Sequence, residues 1–151
     1  MQRRAFISFK YSRLFSFAAT DLSIVLGNHH LIEAVASLLH LYVGDQYPLH
    51  LVMYPESGKH HQVFQNIWYN LLCEIIHELK GRRVIVFTHS YEFIKALILG
   101  VNKGNYPNGF KNITSRIKFF RFERRTDGSV IEVPMSFDNV LTCMENNWEI
   151  R

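Results

Sequence analysis

The chain has 151 residues, 48% of them hydrophobic and 20% charged, which fits one soluble domain that buries roughly 70% of its unfolded surface and argues against two. A formal charge of +4 permits contact with phosphates, but Lys and Arg are spread along the chain instead of forming one basic block. Cys73 and Cys143 both fall in apolar helical patterns and read as buried free thiols; no apolar run reaches the roughly 20 residues of a membrane span, and Met1 to Lys10 lacks the apolar core of a secretory signal, so the cytoplasm is the expected compartment.

In chain order, Ala5 to Phe9 and Arg13 to Phe17 alternate as two short strands, a hairpin around Tyr11 and Ser12. Leu22 to Leu26 is largely apolar and is punctuated by Gly27 and Asn28. Leu31, Ile32, Val35, Leu38, Leu39 and Tyr42 then mark a helix that Asn28 is placed to cap and that Gly44 and Asp45 end. Leu49 to Tyr54 reads as a central strand, followed by a loop through Lys59. The strongest signal is the helix stripe of Val63, Phe64, Ile67, Trp68, Leu71, Leu72, Ile75, Ile76 and Leu79, with Gly81 placed to terminate it. Val84 to Phe87 is a continuous, mostly β-branched run that suits a strand buried on both faces. Strand, helix and strand make a right-handed βαβ unit with the two strands parallel. Tyr91, Phe93, Ile94, Leu97 and Ile98 recur at helical spacing until Gly100. Beyond a Gly, Asn and Pro-rich loop, Ile113 to Glu123 and Ser129 to Val133 form a hairpin around Thr126, Asp127 and Gly128, and Ser136 is placed to cap a last helix with Val140, Leu141 and Met144.

Thr88, His89 and Ser90 sit where a parallel strand meets its helix, the edge at which open α/β sheets bind ligands. Read from these residues alone, His89 and Ser90 are more simply helix-capping groups than ligand-binding ones.

The run V-I-V-F-T-H-S-Y-E-F-I-K-A-L resembles the last sheet strand and switch-histidine motif of AAA-family ATPases of the ABC-like, overcoming-lysogenisation-defect type. The tail F-R-F-E-R-R-T-D-G, then F-D-N-V-L, then E-N-N-W-E-I-R, is similar to the carboxyl end of those proteins. The resemblance covers the chain from about Leu26 onward. It implies an α/β fold with a partial P-loop NTPase-like core: a parallel sheet with flanking helices, plus a carboxyl-terminal β-hairpin and short helix, over residues 1–151 as one domain equivalent to the carboxyl-terminal part of an intact ATPase. By the same resemblance His89 reaches the γ-phosphate of ATP, with Thr88 and Ser90 shaping the strand end.

The family pattern then breaks in three places. Its Walker B Asp-Glu pair falls on Met53 and Tyr54, leaving Glu56, Gly58 and His60 as matches, and a thioether and a phenol neither hold Mg²⁺ nor polarise water. Glu56 is then a substitute base, or more simply a solvated loop carboxylate. The Gly-rich signature expected before the preceding helix is reduced to Gly27 and Asn28, with His29 and His30 following. No G-x-x-x-x-G-K-[ST] loop is present, and Gly104 to Lys111 is a surface loop with Phe110 where the lysine belongs.

ATP and Mg²⁺ are therefore cofactors implied by the family only, and ATP hydrolysis is expected to be incomplete or lost in this chain alone. A homodimer, or a partner chain that carries a Walker A loop, is the expected completion. Two other readings stand beside it: a non-catalytic interaction module derived from an ATPase, and a small basic nucleic-acid-binding protein that uses Arg121, Arg124 and Arg125 beside Phe120 and Phe122. The eight histidines give no metal-ligand spacing. With the amino-terminal part of the family's sheet missing, Leu49 to Tyr54 or Val84 to Phe87 is expected beside an open edge.

Overall fold

The computed structural model describes residues 22–27, 29–43, 49–79, 83–110, 112–128 and 130–146. The predicted hairpin at Ala5 to Phe17, and the assignments made for Asn28, Gly44, Asp45, Gly81 and the last five residues, lie outside them. The described chain is an α/β unit built on one five-stranded mixed sheet. Its strands are β1 (Leu22–Leu26), β2 (Leu49–Met53), β3 (Arg83–Thr88), β4 (Ile117–Arg124) and β5 (Val130–Ser136), in the order β2-β3-β1-β4-β5. The first four are mutually parallel; β5 alone runs antiparallel, against β4.

Helix α1 (His29–Val43) joins β1 to β2, and α2 (Phe64–His77), entered through a single 3-10 turn at His61–Val63, joins β2 to β3. Helices α3 (Tyr91–Asn102) and α4 (Ile113–Arg116) lie between β3 and β4, and α5 (Phe137–Glu145) follows β5. Side chains alternate across the strands, so Ile24, Val84, Val86 and Phe119 face α2, α3 and α5, while Val25, Ile85, Phe87 and Phe120 face α1. The path from β1 to β2 runs one way across the sheet and the path from β2 to β3 runs back. Crossovers of one hand that run in opposite directions must place their helices on opposite faces, as α1 and α2 are placed. Between α2 and α3, Trp68 stacks on Phe93 with ring centroids 4.3 Å apart and donates its indole N–H to the Phe93 carbonyl at 2.7 Å.

At five points the structure extends or corrects the reading of the sequence. The apolar run Leu22–Leu26, not assigned to an element from sequence, is a fully buried strand paired on both sides, with β3 and β4. Val84 to Phe87 is consequently interior; of the two strands considered for an open edge, β2 is the one with a single neighbour among the described residues. Ile113–Arg116 is one helical turn instead of the start of a strand, because Asn112 takes a left-handed backbone (φ 56°) and its carbonyl accepts from both the N–H and the hydroxyl of Ser115. Cys73 and Cys143 are free but only partly buried. The last hairpin is part of the main sheet, and β5 runs past Val133 through Pro134, which an edge strand tolerates. Among the described residues no helix is long and apolar enough to cross a membrane.

Candidate functional site

The carboxyl ends of β2, β3, β1 and β4 share one rim. Strand β1 leads into α1 on one face and its neighbour β3 into α3 on the other, so the chain diverges between Leu26 and Thr88, which are paired in register. Such a divergence opens a crevice at the strand ends. Gly27, Thr88, His89 and Ser90 stand at these strand ends, Thr88 fully buried, and the sequence had singled out all four. Asn28, singled out with them, lies outside the described residues.

Strand β2 reaches the same rim by an unusual backbone. Tyr54 donates its N–H to the Phe87 carbonyl at 2.9 Å, extending the pairing of β2 with β3 by one residue, and then adopts φ 48°, a left-handed conformation that costs an L-residue roughly 1 kcal/mol. The turn that follows is closed by Ser57 N–H to the Tyr54 carbonyl and Lys59 N–H to the Glu56 carbonyl, with Gly58 supplying φ 72° where a side chain would be strained. The result is to fold Glu56 inward. It is 6% exposed, and its Oε1 accepts a 2.7 Å hydrogen bond from the Thr88 hydroxyl.

The same Thr88 oxygen accepts the Ser90 N–H at 3.0 Å, and Ser90 Oγ accepts the Phe93 N–H at 3.2 Å as the cap of α3. Glu56, Thr88 and Ser90 therefore form one chain of hydrogen bonds from the β2 turn to the first turn of α3. A buried carboxylate without an ion pair is costly, and here the donated hydroxyl and the positive end of α3 offset that cost. Oε2 is buried with no hydrogen-bond partner. The expectation of a solvated Glu56 is thus overturned. One oxygen is thus engaged by Thr88 and the other is enclosed, which ties the β2 turn to the end of β3. Glu56 acts as a strut.

His89 is exposed, with its ring 5.1 Å from that of Tyr54 and tilted by 40°. Burial pushes the Tyr54 phenol above its ordinary value, and the carboxylates of Glu33 and Glu56 push it further in the same direction. Glu33, on α1, is a member of this rim that sequence reasoning missed, whereas Tyr54 was noted there only as a break in the resembled pattern; the missing signal was spatial, since Glu33 is 21 residues from Tyr54 along the chain. Arg121 ends on the same rim, in register with Leu26 and half-buried between the buried Phe120 and Phe122. Of the arginines read as a nucleic-acid contact, Arg121 is half-buried and Arg125 exposed. His60, matched to the family's histidine, accepts the Gln62 N–H at its Nδ1 and caps the 3-10 turn.

The residues present do not fit Mg²⁺·ATP. Met53 is 40% exposed on the edge strand, Tyr54 occupies the position of the second acid, and no three His, Cys, Asp or Glu side chains among the described residues come together as metal ligands. Between the end of β1 at Leu26 and the start of α1 at His29 lie only residues 27 and 28, too short a link for a loop whose backbone N–H groups wrap a phosphate. No protein-family model, curated protein or solved structure matches this chain.

Proposed function

We propose that this chain is a non-hydrolysing module derived from the core of an ABC-like AAA-family ATPase, acting through protein contacts instead of nucleotide turnover. The observation that carries the reading is the shared rim of β2 and β3. There Thr88 and His89 stand beside Glu56 in the order the resemblance requires, while the positions of the two Walker B acids hold Met53 and Tyr54. Ancestry and activity are separate matters, and the side chains at the rim support the first without supplying the second.

Release of inorganic phosphate from Mg²⁺·ATP by the purified chain tests this directly. The expected rate equals that of buffer alone, for the wild type and for His89→Ala. Turnover above buffer that His89→Ala abolishes would overturn the reading. Saturable binding of a labelled ATP analogue with turnover absent would keep the ancestry and restore nucleotide as a ligand.

A further inference from the structure

We propose that the turn after β2 is a two-state latch: Tyr54 exchanges its left-handed backbone for an extended one, and the exchange carries the Glu56 carboxylate out of the rim into solvent. Two observations close together in the chain point to it. Tyr54, at φ 48°, stands directly before Pro55, and a proline ring pushes the residue before it toward extended backbone. The conformation of Tyr54 is therefore disfavoured twice, by its hand and by its neighbour. Glu56 is 6% exposed, and its Oε2 is enclosed without the hydrogen bonds that water would give it. Both penalties belong to the inward position of one side chain, and one backbone rotation relieves both.

What opposes them is local. The Thr88 hydroxyl holds Oε1 at 2.7 Å, and two backbone bonds close the turn, from the Ser57 N–H to the Tyr54 carbonyl and from the Lys59 N–H to the Glu56 carbonyl, each at 3.0 Å. Ser57, Gly58 and Lys59 are exposed, and nothing lies within 4 Å of where a Cβ on Gly58 would stand. The segment is anchored at both ends: the Tyr54 N–H is bonded to the Phe87 carbonyl, and His60 caps the 3-10 turn that leads into α2. Between these anchors the chain can turn over without unpairing β2 from β3 or unwinding α2. Short exposed segments of this kind open locally, well below the cost of unfolding the whole sheet. Outward, Glu56 exchanges the Thr88 hydroxyl for water and adds a carboxylate to the surface of the rim, so the latch sets whether that end of the sheet presents an acid. The inference does not rest on the ATPase-derived reading, since no nucleotide enters it.

Labelling of carboxylates in the folded full chain, with a water-soluble carbodiimide and glycine amide, reads the outward population when each residue is followed by mass spectrometry. Glu56 should label steadily in native buffer, more slowly than the exposed Glu92, and at a rate that low urea leaves unchanged, because a local turn exposes little surface. Gly58→Ala acts through the backbone alone, since open space surrounds the added methyl. It opposes the φ of 72° that the inward turn requires, and should speed labelling of Glu56 roughly fivefold or more. Tyr54→Asn places at the strained position a residue that enters left-handed backbone readily, and should slow labelling by a similar factor. Glu92 should label alike in all three chains. If Gly58→Ala fails to fold, Tyr54→Asn and the urea series still decide. The proposal is overturned if Glu56 stays unlabelled in native buffer, if its labelling rises with urea in step with unfolding, or if the two variants leave the rate unchanged or shift it the same way.

Discussion

Thr88 is the residue on which the rim depends, because its hydroxyl serves two partners at once, donating to Glu56 and accepting from Ser90. Thr88→Val keeps the shape of a fully buried side chain and removes both bonds, leaving a buried carboxylate with no donor. A loss of about 2 kcal/mol in urea unfolding is expected, and a loss within about 0.5 kcal/mol would show that the strut contributes little. Tyr54 makes a pH-dependent contribution of definite sign. Its phenol is raised above 10.0 by burial and then by Glu33 and Glu56, so at alkaline pH the folded chain holds a proton that the unfolded chain has lost. The stabilisation is complete below the ordinary phenol value and disappears as pH rises through the folded one. Stability of the wild type should therefore fall more steeply than that of Tyr54→Phe as pH rises through that range, and parallel curves would contradict the assignment.

Local rules govern several elements and fail in one. Ser136 accepts the Asn139 N–H while Asn139 Oδ1 accepts the Ser136 N–H, a reciprocal cap at the start of α5, as the pattern S-F-D-N anticipates. Ser136→Ala should cost roughly 1 kcal/mol, read from the thermal midpoint, and should leave β4 and β5 paired. Helix α2 follows from its apolar stripe, and β3 from its unbroken β-branched run. Strand β4 begins four residues later than its β-propensity indicates, because the left-handed Asn112 and the Ser115 hydroxyl hold Ile113–Arg116 in a helical turn with Ile113 in the core. That choice is made by where the chain must reverse, which a window of neighbouring residues does not contain.

At the scale of the whole molecule, the strand order decides what the rim is. Had β1 stood at an edge, Gly27 would be far from His89; inserted between β3 and β4, β1 brings Leu26 level with Thr88 and Arg121. The same order encloses β3 and, among the described residues, leaves β2, whose end carries Met53 and Tyr54, with β3 as its one neighbour.

The sequence by itself determined the α/β class, the parallel pairing of Leu49–Met53 with Val84–Phe87, the Asp-Gly hairpin, the cap at Ser136 and the arrival of the turn after β2 and the end of β3 on one rim. Each rests on periodicity, on turn chemistry or on the short reach of a βαβ crossover. Only the tertiary structure decided that Leu22–Leu26 lies at the centre of the sheet, that Glu56 is folded in against Thr88, and that Glu33, Tyr54 and Arg121 reach the same rim. Those facts depend on strand order and on one left-handed residue, which join groups far apart along the chain, and no local pattern of apolar and polar residues encodes such distances.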